Sequence, residues 1–154
     1  MSSCGSRGRA VRELILACVL LWAGDALAET WITASVLSIH YGTDKKYESQ
    51  NWGVGIEQDL SANWRAIAGH YRNSNRRDSL YFGASWTAAR WGNFSSGIAM
   101  MLVGGYETTK RPELIKAAIP FFSYEKEGWG INVPIIPKYQ DNPGVIALQV
   151  KWKW

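Results

Sequence analysis

The 154 residues include nine tryptophans, fifteen glycines and 19% charged side chains, and the mean hydropathy is −0.18. That is one domain at most, and it excludes a bundle of membrane helices, which needs long apolar runs, as well as a disordered or supercharged chain. Seventeen basic against thirteen acidic residues leave a net charge of +4. With no basic run or recognition motif beside it, that balance does not point to nucleic acid.

The first element is an address. Arg7, Arg9 and Arg12 precede an apolar stretch over 14–23, and Ala26, Leu27 and Ala28 place small residues at −3 and −1 of a cleavage site before Glu29. This predicts a secretory signal peptide over 1–28, too short in its apolar part to span a bilayer. The apolar core runs past Cys18, which argues against a lipoprotein signal. Both cysteines, Cys4 and Cys18, fall in this segment, so 29–154 has no thiol for a disulfide, a nucleophile or a metal site.

From there the apolar residues recur with period two. Strands are predicted over 31–41, 52–57, 64–73, 79–87, 97–106, 115–124, 129–135 and 145–154. Trp52, Val54 and Ile56 share one face of the second, Leu80, Phe82, Ala84 and Trp86 one face of the fourth, and Ile98, Met100 and Leu102 one face of the fifth. The opposite faces hold Gly, Ser, Thr, Tyr and Asn with few charges, which suits a narrow lumen better than open solvent. Strands of about nine to eleven residues are long enough to cross a bilayer when tilted. Tryptophans 31, 52, 64, 86, 91, 129, 152 and 154 fall mostly near strand ends, where membrane interfaces lie. The last strand alternates Ile146, Leu148, Val150 and Trp152 up to the terminal Trp154. The prediction is an all-β, eight-stranded antiparallel transmembrane barrel of the outer-membrane type, formed by 29–154 and located in the bacterial outer membrane.

With both termini periplasmic, the outer loops are 42–50, 74–78, 107–113 and 137–143, and His40 meets Asn73 and Ser74 at the same outer rim. Lys45, Lys46, Arg72, Arg76, Arg77, Lys110, Arg111 and Lys138 lie in or beside those loops. They form either a solvated loop set or a contact surface for lipid phosphates, which arginine pairs bidentately.

These landmarks, taken in order, resemble the outer-membrane lipid A palmitoyltransferase (PagP) family. His40 closes strand one before Tyr47-Glu48 and Trp52-Gly53-Val54-Gly55; Asn73-Ser74 follows strand three, and Trp86 comes twelve residues later. Ile119-Pro120, Ile136-Pro137-Lys138-Tyr139, Asn142 and the aromatic-ended last strand complete the series. The resemblance covers the whole of 29–154. It implies transfer of an acyl chain from a phospholipid donor to a lipid A acceptor of lipopolysaccharide by a monomer, without cofactor or metal. It also carries the family's functional polar residues over to His40, Asn73 and Ser74. Two departures stand out. Asn73 replaces the family's aspartate, although Asp78-Ser79 would restore an Asp-Ser pair, and no room is left for a helix ahead of strand one.

Such a transfer requires a base for the incoming hydroxyl, donors for the oxyanion and exclusion of water. His40 suits the first role. Ser74 and the Asn73 amide suit the second, and Ser74 as nucleophile with His40 as base is the competing scheme. Inward Gly53, Gly55, Gly83, Gly97, Gly105 and Gly130 either clear a slot for an acyl chain, with Ser85 at its floor, or serve strand bending and closure. His70 is expected to hydrogen-bond inside the lumen. Pro120, Pro134 and Pro137 interrupt strands six and seven; the resemblance makes these gaps lateral entrances for lipid, and their structural alternative is a bulge or strand end. Two other functions use the same rim: a lipid A or phospholipid hydrolase with water as acceptor, and a noncatalytic barrel that binds lipopolysaccharide.

Overall fold

The computed structural model describes residues 28–154 apart from Lys110 and Asp141, with backbone alone for 107–109 and 111–113. The predicted signal peptide, except Ala28, lies outside the described residues. Eight strands follow: β1 (Thr30–Tyr41), β2 (Gln50–Asp59), β3 (Trp64–Arg72), β4 (Asp78–Trp91), β5 (Phe94–Thr109), β6 (Arg111–Lys126), β7 (Trp129–Ile136) and β8 (Gly144–Lys153). Each pairs antiparallel with its neighbours in sequence and β1 pairs with β8, so the sheet closes into a barrel. Closure gives all eight strands a partner on each side over at least part of their length.

Alternation decides which side chains meet lipid. Val54 is 64% exposed and Leu80 65%, and Phe82, Ile98, Met100, Phe122, Ile146 and Val150 continue the apolar belt around the outside. Trp64, Trp86, Trp91, Phe94, Trp129 and Trp152 are exposed near the ends that also carry the short turns. A belt of this kind is stable only against hydrocarbon, so the chain is an outer-membrane β-barrel.

Two expectations about facing and one about a loop are corrected. A bulge between Ser35 and Leu37 shifts the register of β1 against both neighbours. Inward positions therefore run Trp31, Thr33, Ser35 below the bulge and Ser38, His40 above it. Trp31 is 3% exposed, so this tryptophan is a lumen residue and not an interface anchor. His70 points outward beside Leu80 on β4, with its Nε2 3.3 Å from Asp78 Oδ1. Its parity with outward Trp64, and not with inward Ile67 and Tyr71, sets this. Finally, the predicted outer loop 107–113 is mostly strand: β5 and β6 run on until only Lys110 separates them.

Candidate functional site

At the outer rim, β1 and the loop that follows it bring His40 and Tyr47 into a ring stack, with centroids 4.6 Å apart and planes 16° from parallel. Tyr47 also lines a cleft of about 600 Å³ together with Lys45, Lys46, Glu48, Ser74, Asn75 and Arg76. The two loops around it are tied by the Glu48 backbone N–H, which donates to the Ser74 carbonyl at 3.3 Å, and by an ion pair from Arg76 Nε to Glu48 Oε2 at 3.2 Å. The Gln50 backbone N–H, with the Arg76 guanidinium behind it, holds the Glu48 carboxyl below the usual carboxylate range. His40 and Ser74 thus meet the same cleft region through Tyr47, and no hydrogen bond joins them directly among the described residues.

Asn73 has a different place from the one its neighbours suggest. It is fully buried. Its Oδ1 accepts from the backbone N–H groups of Asn75 (2.9 Å) and Arg77 (3.1 Å), and its Nδ2 donates to Ser79 Oγ (3.0 Å) and the Gly105 carbonyl (3.1 Å). An amide with four partners caps the loop 73–77 and anchors it to β4 and β5; it has no donor left for an oxyanion. The reserve pair also separates, because consecutive strand residues face opposite ways: Asp78 points out to His70 and Ser79 points in to Asn73.

The lower lumen is a network of charges. Lys151, its side chain 1% exposed, lies between Glu57 Oε2 (3.0 Å) and Glu125 Oε1 (2.8 Å). Arg65 forms ion pairs with Glu57, Asp59 and Glu125, and Asn132 Nδ2 donates to Glu57 at 2.6 Å. Trp31 spreads beneath both cations, 5.6 Å from the Arg65 guanidinium carbon and 5.3 Å from Lys151 Nζ. A lumen face poor in charge does not describe this region. Glu57, Arg65, Glu125 and Lys151 lie near the inner ends of β2, β3, β6 and β8, a clustering that depth-aligned strands would have revealed.

Above that floor the inward side chains of β5 and β6 are mostly apolar, with Tyr106 near the rim hydrogen-bonded to Tyr71. Ala99 and Val103 are buried and Met101, Ala117, Ile119 and Phe121 are half-buried. Beside them the wall is incomplete. β7 has 8 residues against 16 in β6, and their pairing stops at Phe121 with Pro134. The Glu125 N–H donates toward β5 at Asn93, so by alternation the backbone groups of Leu114, Lys116, Ala118 and Pro120 face the open side. Pro120 has no N–H to offer there. Past the last pair, Ile135 and then Pro137 would face β6, and Pro137 too lacks a donor, so extending β7 across the gap would leave ladder bonds unmade. Pro134 faces β8, where pairing skips from Asn132 with Gln149 to Ile135 with Ile146.

The glycines do not clear one continuous slot. A Cβ on Gly55 would lie 2.7 Å from Thr33 Oγ1 and 2.8 Å from the Ala68 carbonyl, and one on Gly69 would lie 2.6 Å from the Tyr81 ring. Tyr81 therefore occupies the space they open. Gly53, Gly83, Gly97 and Gly130 face neighbouring backbone so closely that they serve wall curvature. Gly105 adopts φ +92° in the β5 bulge. Ser85 is inward and buried, as expected.

No protein-family model matches the sequence, and no curated relative matches it. Solved structures similar in fold include the following three. The de novo designed protein TMB2.3 is 14% identical, covers 82% of this chain and 92% of its own, and has a TM-score of 0.57. The N-terminal β-barrel domain of Pseudomonas aeruginosa OprF is 11% identical with a TM-score of 0.47, covering 82% and 97%. The Yersinia pestis outer membrane protein Ail is 13% identical with a TM-score of 0.49, covering 82% and 99%.

Proposed function

We propose that the barrel is a lipid acyltransferase of the outer leaflet, taking an acyl chain from a phospholipid and passing it to lipid A. The observation that carries the reading is the unpaired upper edge of β6, which opens onto the apolar inner wall of Ala99, Met101, Val103, Ala117, Ile119 and Phe121. A hydrocarbon chain entering there meets side chains that need no hydrogen bonds and stops above the ion pairs of Arg65 and Lys151. His40 is the group for proton transfer. It takes the proton of the acceptor hydroxyl as that oxygen attacks the donor ester carbonyl, and returns it to the departing glycerol oxygen as the tetrahedral intermediate collapses. Ser74 supplies a hydroxyl on the same rim. Asn73 acts through position alone, by holding the loop that presents Ser74.

Mass spectrometry of lipid A from cells making the protein tests this. The expected result is a gained acyl mass that falls roughly a hundredfold or more in His40→Ala. A lost acyl mass would favour the hydrolase, and no change at all would favour a noncatalytic barrel that binds lipopolysaccharide through its basic rim.

A further inference from the structure

We propose that the cleft between loops 42–49 and 73–77 is a binding site for a phosphate group, presented either on a lipid headgroup or as the free anion. It deepens the lipid-handling reading above and rests on that reading only where the source is a lipid.

Lys45, Lys46 and Arg76 line the cleft with one carboxylate, Glu48, so the lining carries an excess of positive charge that matches a phosphate dianion better than a carboxylate. Ser74 and Asn75 add a hydroxyl and an amide between the cations. Glu48 engages Arg76 through Nε. That contact orients the planar guanidinium and leaves its terminal nitrogens for bidentate pairing. Arg76 holds φ at +63°, a left-handed conformation that is uncommon away from glycine. It is maintained by its own N–H to the Asn73 carbonyl at 2.8 Å, with the fully buried Asn73 side chain fixing the residues on either side. Backbone strain held by a buried cap is the arrangement expected where a side chain must be presented at a set place.

The test uses the full mature barrel in nanodiscs and follows the backbone amides of 45–48 and 74–76 by NMR. One arm adds inorganic phosphate to phosphatidylcholine discs; the other compares those discs with discs containing phosphatidic acid. Saturable shifts confined to these amides are expected, weakened about tenfold in Lys45→Ala/Lys46→Ala and again in Arg76→Ala, with strand amides unchanged. Shifts with phosphatidic acid alone make the source a headgroup, and shifts in both arms make the site a general phosphate site. No shift in either arm, or shifts that survive both variants, overturns the proposal. A wild-type barrel that binds phosphate yet adds no acyl mass to lipid A would sink the transferase and leave this site standing.

Discussion

The lower and upper halves of this barrel solve the problem of a polar lumen in opposite ways. Below, two cations and three carboxylates are drawn into one network with Trp31 beneath them, and nearly every group is paired. Above, the wall is unpaired along one edge of β6, the inner face beside that gap is apolar, and the loop cations outnumber the acid in their cleft. The difference separates what holds the barrel closed from what is left available for a ligand. Removing one member of a buried ion network leaves a charge uncompensated, whereas the incomplete wall leaves backbone groups of β6 without a strand partner.

Breaking the lower half should have the largest effect. Lys151→Ala leaves Glu57 and Glu125 to share Arg65 as the remaining cation of the network, and a loss of about 3–5 kcal/mol is expected. Urea unfolding from lipid vesicles measures it, and pairing the change with Glu57→Gln should recover part of the loss. At the outer rim, Asn73→Asp removes the two hydrogen bonds donated to Ser79 and Gly105 and turns a carboxylate oxygen toward a carbonyl. The expected cost is about 1–3 kcal/mol in the same unfolding measurement. An unchanged stability would mean that the buried cap tolerates the residue the resembling family carries. In the upper half, Ala117→Trp fills the apolar wall beside the gap. Acyl addition to lipid A should fall roughly tenfold, equivalent to about 1.4 kcal/mol, while the midpoint of unfolding barely moves.

The smallest effect concerns the rim. Because the Glu48 carboxyl is held below its ordinary range, its contribution to joining the loops is complete above the ordinary carboxylate pKa and fades only as pH falls through the depressed folded value. The Gln50 amide resonance should therefore stay fixed from neutral pH down to the ordinary carboxylate range and move only at more acid pH. A shift centred on the ordinary carboxylate value would show that the loop contact is absent in solution.

Much of this was legible in the chain. Strict alternation in β2, β4 and β8 announces one lipid face and one lumen face, because a side-chain period of two needs no tertiary information to read. The rim residues His40, Asn73 and Ser74 could be placed at one height from strand lengths alone, whereas the stack of His40 on loop residue Tyr47 could not. Asn73 could not be assigned its role, since Ser79 and Gly105, which engage its amide, lie on strands whose relative depth depends on shear. His70 faces outward and not into the lumen because it shares parity with outward Trp64 along β3.

By itself, then, the sequence determined the number of strands, the identity of the apolar belt and the membrane setting, all properties of local periodicity. Tertiary structure alone decided which inward residues share a level. The β1 bulge turns Trp31 and His40 to the same side despite their odd separation, closure brings Glu57, Arg65, Glu125 and Lys151 from four strands into one floor, and a short β7 leaves β6 unpaired. Each depends on register between strands, and register is set by pairing across the barrel, not by the residues next in line.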